Sequence, residues 1–153
     1  MVMTAPLVVI VHHTPAPQGS KRSVGGGRMV ESSTHVGPFR DAVTAAAMQA
    51  IERADHHARP GPIAVDVVFT IKRPQGHFGT GRNATKVKAT APAYPATKPD
   101  LDKLARALLD GLDDAGVFLD DGQVADLHAV KSYPHGHLDA LDTPGCVATV
   151  TWL

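Results

Sequence analysis

Two short acidic steps in this chain could do chemistry. Asp100 and Asp102 form an Asp-x-Asp step directly after Pro99, and Asp120 and Asp121 form a pair before Gly122. Two ionised carboxylates held about 4 Å apart repel by about 4 kcal/mol at an effective dielectric near 20. A fold that gathers Asp100, Asp102 and Asp121 therefore needs a cation among them or a raised carboxyl pKa. Hard divalent ions such as Mg²⁺ take carboxylate oxygens and keep waters for reaction. The alternating ligand pattern of an EF-hand is absent.

Each acid also has a structural explanation. Asp is a favoured N-cap, and acids suit the positive end of a helix dipole. That account covers Asp100 taken alone. Asp102 has Arg106 four residues later, on the same helical face. Asp113 and Asp114 fall near the helix C-terminus, where the dipole disfavours them, so they are expected to stay solvated. Asp120-Asp121-Gly122 reads as a turn.

The element between the acidic steps is a helix. Leu101, Leu104, Ala105, Leu108 and Leu112 recur at helical spacing, which predicts a helix over residues 100–115 with Gly116 as its C-terminal cap. Further upstream, residues 7–13 (LVVIVHH) predict a strand. Residues 21–34 combine Lys21, Arg22 and Arg28 with three glycines, which predicts a basic loop or a ragged hairpin. Gly19-Ser20-Lys21 lacks the order of a Walker A loop. Gly37-Pro38 opens a helix whose apolar positions run from Phe39 to Ala54. Ile63, Val65, Val67, Phe69 and Ile71 alternate, a strand signature.

Residues 74–95 show no periodicity and predict a long basic loop, a length that is usually functional or disordered. After the second helix, VFL reads as a short strand. QVADLHAVK and CVATVTWL read as two more strands, joined by a long hairpin connection. The expected fold is α+β: a single domain over residues 1–153 with a small mixed sheet and two main helices.

Bulk composition agrees. The chain has 153 residues, 43% hydrophobic and 20% charged, ordinary for a globular domain. No apolar run approaches the ~18 residues of a membrane span. The start lacks a basic n-region, and the single cysteine, Cys146, fits core filling and a reducing cytoplasm. Net charge is zero, but unevenly spread. Residues 72–98 hold six Lys or Arg and no acid, whereas residues 100–126 hold eight acids against Lys103 and Arg106. That pattern suits a polyanion held beside an acidic metal pocket. It also suits two solvated loops of opposite charge that pair with each other.

The stretch KPDLDKLARALLDGLDDAGVFLDDGQVADLHAVK, with PAPQGSKR and GRMVESS before it, resembles the RusA family of Holliday-junction resolvases. The resemblance implies a homodimeric, Mg²⁺-dependent (alternatively Mn²⁺-dependent) endonuclease of phage or prophage type that nicks four-way DNA junctions symmetrically. It places the catalytic carboxylates at Asp100, Asp102 and Asp121, which would also be the metal ligands. A functional lysine of the family falls on Arg106, which keeps the charge but cannot serve as a base. On this reading Lys131 would join Arg106 in stabilising charge at the scissile phosphate. Lys21, Arg22, Arg28, Arg82, Lys86, Lys88 and Lys131 are the expected DNA contacts.

Two other classes remain open in the residues. A non-catalytic junction-binding module of phage origin is kept alive by Arg106. A transition-metal site is suggested by His12-His13, His56-His57 and His135-Gly-His137, without cysteine partners.

Overall fold

The structure is a computed structural model that describes residues 5–19, 21–23, 29–31 and 34–153. Its elements are β1 (Leu7–Val11), β2 (Lys21–Ser23), β3 (Met29–Glu31), α1 (Val36–Ala54), β4 (Ile63–Thr70), α2 (Leu101–Asp114), β5 (Val124–Ser132) and β6 (Gly145–Trp152). Four strands form one mixed sheet in the order β1-β6-β4-β5, and β2 pairs with β3 antiparallel. Of the two expectations for the basic segment, the hairpin is the one seen in the described backbone. Arg28 lies outside the described residues.

Alternation builds the core. Leu7, Val9 and Val11 of β1, Ile63 through Phe69 at odd positions of β4, and Cys146, Ala148 and Val150 of β6 all turn to one face. There they meet Phe39 and Val43 of α1 and Leu104, Leu108 and Leu112 of α2. Cys146 is buried, which pushes its thiol up to about 12 and makes it core filling.

Two expectations about topology are corrected. The strands β5 and β6 do not form a hairpin: β5 pairs parallel to β4, and β6 lies between β1 and β4. A central strand must tolerate burial on both faces, and GCVATVTW does. The charged face of β5, with Asp126 and His128, suits only an edge. The segment 133–144 is therefore a crossing connection. Nor is VFL a strand: Val117 and Phe118 are buried plugs that seat the turn after α2.

Residues 74–95 are more ordered than a structureless loop. Two 3₁₀ turns (Gln75–His77 and Gly81–Asn83) and a Phe78–Val87 bridge fold them into an arm. Gly79 N–H donates to Lys86 O and Lys88 N–H to His77 O. At its root the Arg73 guanidinium lies over the Tyr133 ring, 4.2 Å from its centroid, and donates to Pro92 O at 2.8 Å.

The two helices touch through a glycine. A Cβ on Gly111 would stand 2.7 Å from Val43 Cγ1 and 2.8 Å from Val43 Cβ. Thr44 Oγ1 also donates to Gly111 O at 3.0 Å. Gly111→Ala should force α1 and α2 apart and destabilise the fold by about 1–3 kcal/mol, read as a lower denaturant midpoint. An unchanged midpoint would show that the helix contact yields without cost.

Candidate active site

The second helix carries the first acidic step. Its amphipathic stripe buries Leu104, Ala105, Ala107, Leu108, Gly111 and Leu112. Its end is closed by a Schellman motif: Val117 N–H donates to Leu112 O, Gly116 N–H donates to Asp113 O, and Gly116 has φ +79°. The residues left on the outer side include Asp102 and Arg106, both exposed. No ion pair joins these two in the described structure.

Asp100 occupies the N-cap position with extended backbone (φ −71°, ψ 133°), yet its side chain makes no capping hydrogen bond. Its Oδ2 instead lies 3.5 Å from both Lys98 Nζ and Lys103 Nζ. Lys98 above all, with Lys103, holds this carboxyl below the usual carboxylate range, against a smaller effect of desolvation. Capping therefore does not account for Asp100, and its oxygens face cations and solvent. Lys98 and Lys103 are neighbours of Asp100 that the motif by itself does not mark. The i,i+3 spacing of Asp100 and Lys103 is the one sequence signal that points to either of them.

Lys131 is tied to the same place. Its Nζ donates to Thr97 O at 2.7 Å and to Pro99 O at 2.9 Å. It clamps the backbone that leads into Asp100 from the end of β5, and one of its three N–H groups remains for another acceptor.

The second acidic step is divided between two tasks. Asp120 Oδ1 accepts from Gly122 N–H, and Gln123 Oε1 accepts from Leu119 and Asp120 N–H, forming a capping box on the 3₁₀ turn at Asp121–Gln123. Gln123 Nε2 donates to Arg59 O and Gly61 O, each at 2.8 Å, pinning the turn beside the start of β4. Asp120 is thus spent on the backbone, whereas the Asp121 carboxylate is exposed.

Asp121 sits at the opposite end of α2 from Asp100. The 3₁₀ turn at Asp121–Gln123 packs against α2, and burial first, then the charges of Asp121 and Asp120, raise the carboxyl of Asp113 in the helix's last turn. From Asp102 to Asp113 is eleven residues, about 16 Å of helix at 1.5 Å each. One chain does not bring the three carboxylates together. Among the described residues no group of three or more His, Cys, Asp or Glu could hold a metal ion. The same result leaves the histidine pairs without a site. His56 meets Val117 O at 2.8 Å, and His128 and His135 face Asp66 and Asp142.

The expected DNA contacts divide similarly. Arg82, Lys86 and Lys88 are exposed on the arm, whereas Lys21 and Arg22 belong to β2 and Arg28 lies outside the described residues. Among the described residues, no helix is long and apolar enough to cross a membrane.

No individually curated protein matches the chain. A family model does: endodeoxyribonuclease RusA, over residues 12–137, which takes in the Asp-x-Asp step, α2, the Asp121 turn and the arm. On that match, the chain belongs to the RusA endodeoxyribonuclease family, divalent-metal-dependent nucleases that resolve Holliday junctions.

Proposed function

We propose that this protein acts as a homodimer that resolves four-way DNA junctions by paired symmetric nicks, with Mg²⁺ (or Mn²⁺) held by Asp100 and Asp102 of one subunit and Asp121 of the partner subunit. The observation that carries this reading is Asp100: it stands where a cap should be, yet its carboxylate makes no capping hydrogen bond and turns instead to Lys98 and Lys103. Asp100 and Asp102 fit a hard cation, which needs only one or two carboxylates when phosphate oxygens and waters complete the shell. Bound there, a divalent ion supplies a water of lowered pKa and neutralises charge at the scissile phosphate.

The chain's own residues do the rest. Lys98 and Lys103 keep Asp100 ionised, and Lys131 holds the Pro99–Asp100 backbone still. Arg106, one turn beyond Asp102, offers a planar fork to the phosphate oxygens as their charge grows. Arginine stays protonated, so it takes no proton from water.

A single subunit cannot supply Asp121 across about 16 Å of helix. A two-fold axis can, because it sets one subunit's Asp121 end against the other's Asp100 end twice. Two such sites, related by that axis, would nick two strands of like polarity.

Arg82, Lys86 and Lys88 of the arm, with Lys21, Arg22 and Arg28 on sequence grounds, track phosphates and read no bases. Changing Arg82, Lys86 and Lys88 together to Gln should weaken junction binding at every sequence. The slope of log K against log salt should fall by about 0.9 for each phosphate that the arm no longer neutralises. An unchanged slope in a salt titration would remove the arm from the interface.

Incubating the protein with a labelled four-way junction and a linear duplex, with and without Mg²⁺, tests the whole reading. Symmetric nicks in the junction alone, and only with the metal, are expected. A junction shifted but intact would instead make the chain a binding module without catalysis.

A further inference from the structure

We infer that the cavity beside Asp100 receives one unstacked nucleoside of the strand being cut. This rests on the nuclease reading above. The cavity measures about 670 Å³, and its walls include His13, Thr14, Pro17, His35, Pro38 and Pro99. That volume lies within the ~300–1,000 Å³ common for small organic ligands. A base with its sugar fits such a space.

Position makes a nucleoside the occupant. Pro99 directly precedes Asp100, so the cavity wall and the carboxylate share one backbone segment. Lys131 holds that segment through Thr97 O and Pro99 O. A phosphate at Asp100 and Asp102 therefore leaves its neighbouring sugar and base at the mouth. Lys98 lines the same cavity with its ammonium 3.5 Å from Asp100 Oδ2, a cation where the sugar-phosphate link must pass.

The surfaces agree. Proline rings and imidazole faces give flat contacts, and among the described residues no carboxylate lines the cavity. Stacking on such faces accepts any base. Thr14 also lines a second cavity of about 620 Å³ with Lys72, Phe78 and Val87 at the root of the arm. A strand leaving the first pocket would next meet a cation and an aromatic ring. Where a junction is opened, the bases at its branch point lose a stacking partner, and a base already less stacked or paired costs less to extrude.

The test uses the full-length protein and a four-way junction with 2-aminopurine at each nucleotide flanking the mapped nick. Ca²⁺ replaces Mg²⁺ so that binding is read without cutting. One position should brighten several-fold on binding. Thr14→Trp, which fills the cavity mouth, should abolish that rise and weaken junction binding about tenfold. Removing the base at the same position should weaken wild-type binding by a similar factor and cost Thr14→Trp nothing further.

If Thr14→Trp does not fold, the abasic junction with wild-type protein decides alone. No brightening at any flanking position, or equal losses from the abasic site in wild type and variant, overturns the pocket while leaving the nuclease intact. A wild-type protein that leaves the unmodified junction uncut in Mg²⁺ overturns the nuclease reading instead.

Discussion

Asp102→Asn should yield a folded protein that binds a four-way junction and no longer cuts it. Asp102 is exposed on the first turn of α2 and makes no ion pair within the described residues, so its loss costs the fold little. Asparagine keeps the shape and one oxygen but removes the charge that draws a hard cation. On the proposed reading, binding depends on cations elsewhere, on the arm and the basic hairpin, and should persist. The expected fall in cleavage is at least about a hundredfold, the scale seen when one electrostatic element of a transition state is removed. Cleavage near the wild-type rate in Mg²⁺ would end the assignment of this carboxylate. Arg106→Ala is expected to be milder: it should slow cutting by about tenfold to a hundredfold with binding kept, because a metal still neutralises part of the phosphate charge. Unchanged cutting would take Arg106 out of the mechanism.

Two inactive proteins should restore each other. Asp102→Asn and Asp121→Asn are each expected to be dead as pure dimers. If each site draws Asp100 and Asp102 from one subunit and Asp121 from the other, a mixed dimer contains one site with both defects and one with none. Random re-assortment of equal amounts makes half of the dimers mixed, so about one quarter of all sites should be whole. The mixture should nick one strand of a junction and fail at paired resolution. If instead each site lay within one chain, every site in the mixture would carry a defect. The mixture would then stay inactive, and the shared-site geometry would fail. The measurement needs only denaturation of the two proteins together, refolding, and a strand-resolved nicking assay.

Much of the site was legible in the chain. Leu101, Leu104, Leu108 and Leu112 mark α2 because helical side chains repeat every 3.6 residues whatever lies around them. Gly116 marks its end for an equally local reason: the backbone there needs φ +79°, which glycine adopts freely. The Asp-x-Asp step and the Asp121 turn were located by the same local grammar. The length of residues 74–95 marked a segment that is functional or disordered and hid the arm's order, since that order rests on Arg73 reaching Tyr133 and Pro92, contacts between residues distant in sequence.

The chain by itself determined the two main helices, the strands at β1, β4, β5 and β6, and which carboxylates are candidates, while it misread VFL as a strand. The tertiary structure alone decided that β6 enters the sheet between β1 and β4 while β5 takes the edge, that Lys131 clamps the approach to Asp100, and that Asp121 stands a helix length away. The reason is physical. Periodicity is set by bonds between neighbours and shows in any short window. Strand order and the meeting of distant side chains are set by which faces can be buried together, and that depends on every element at once.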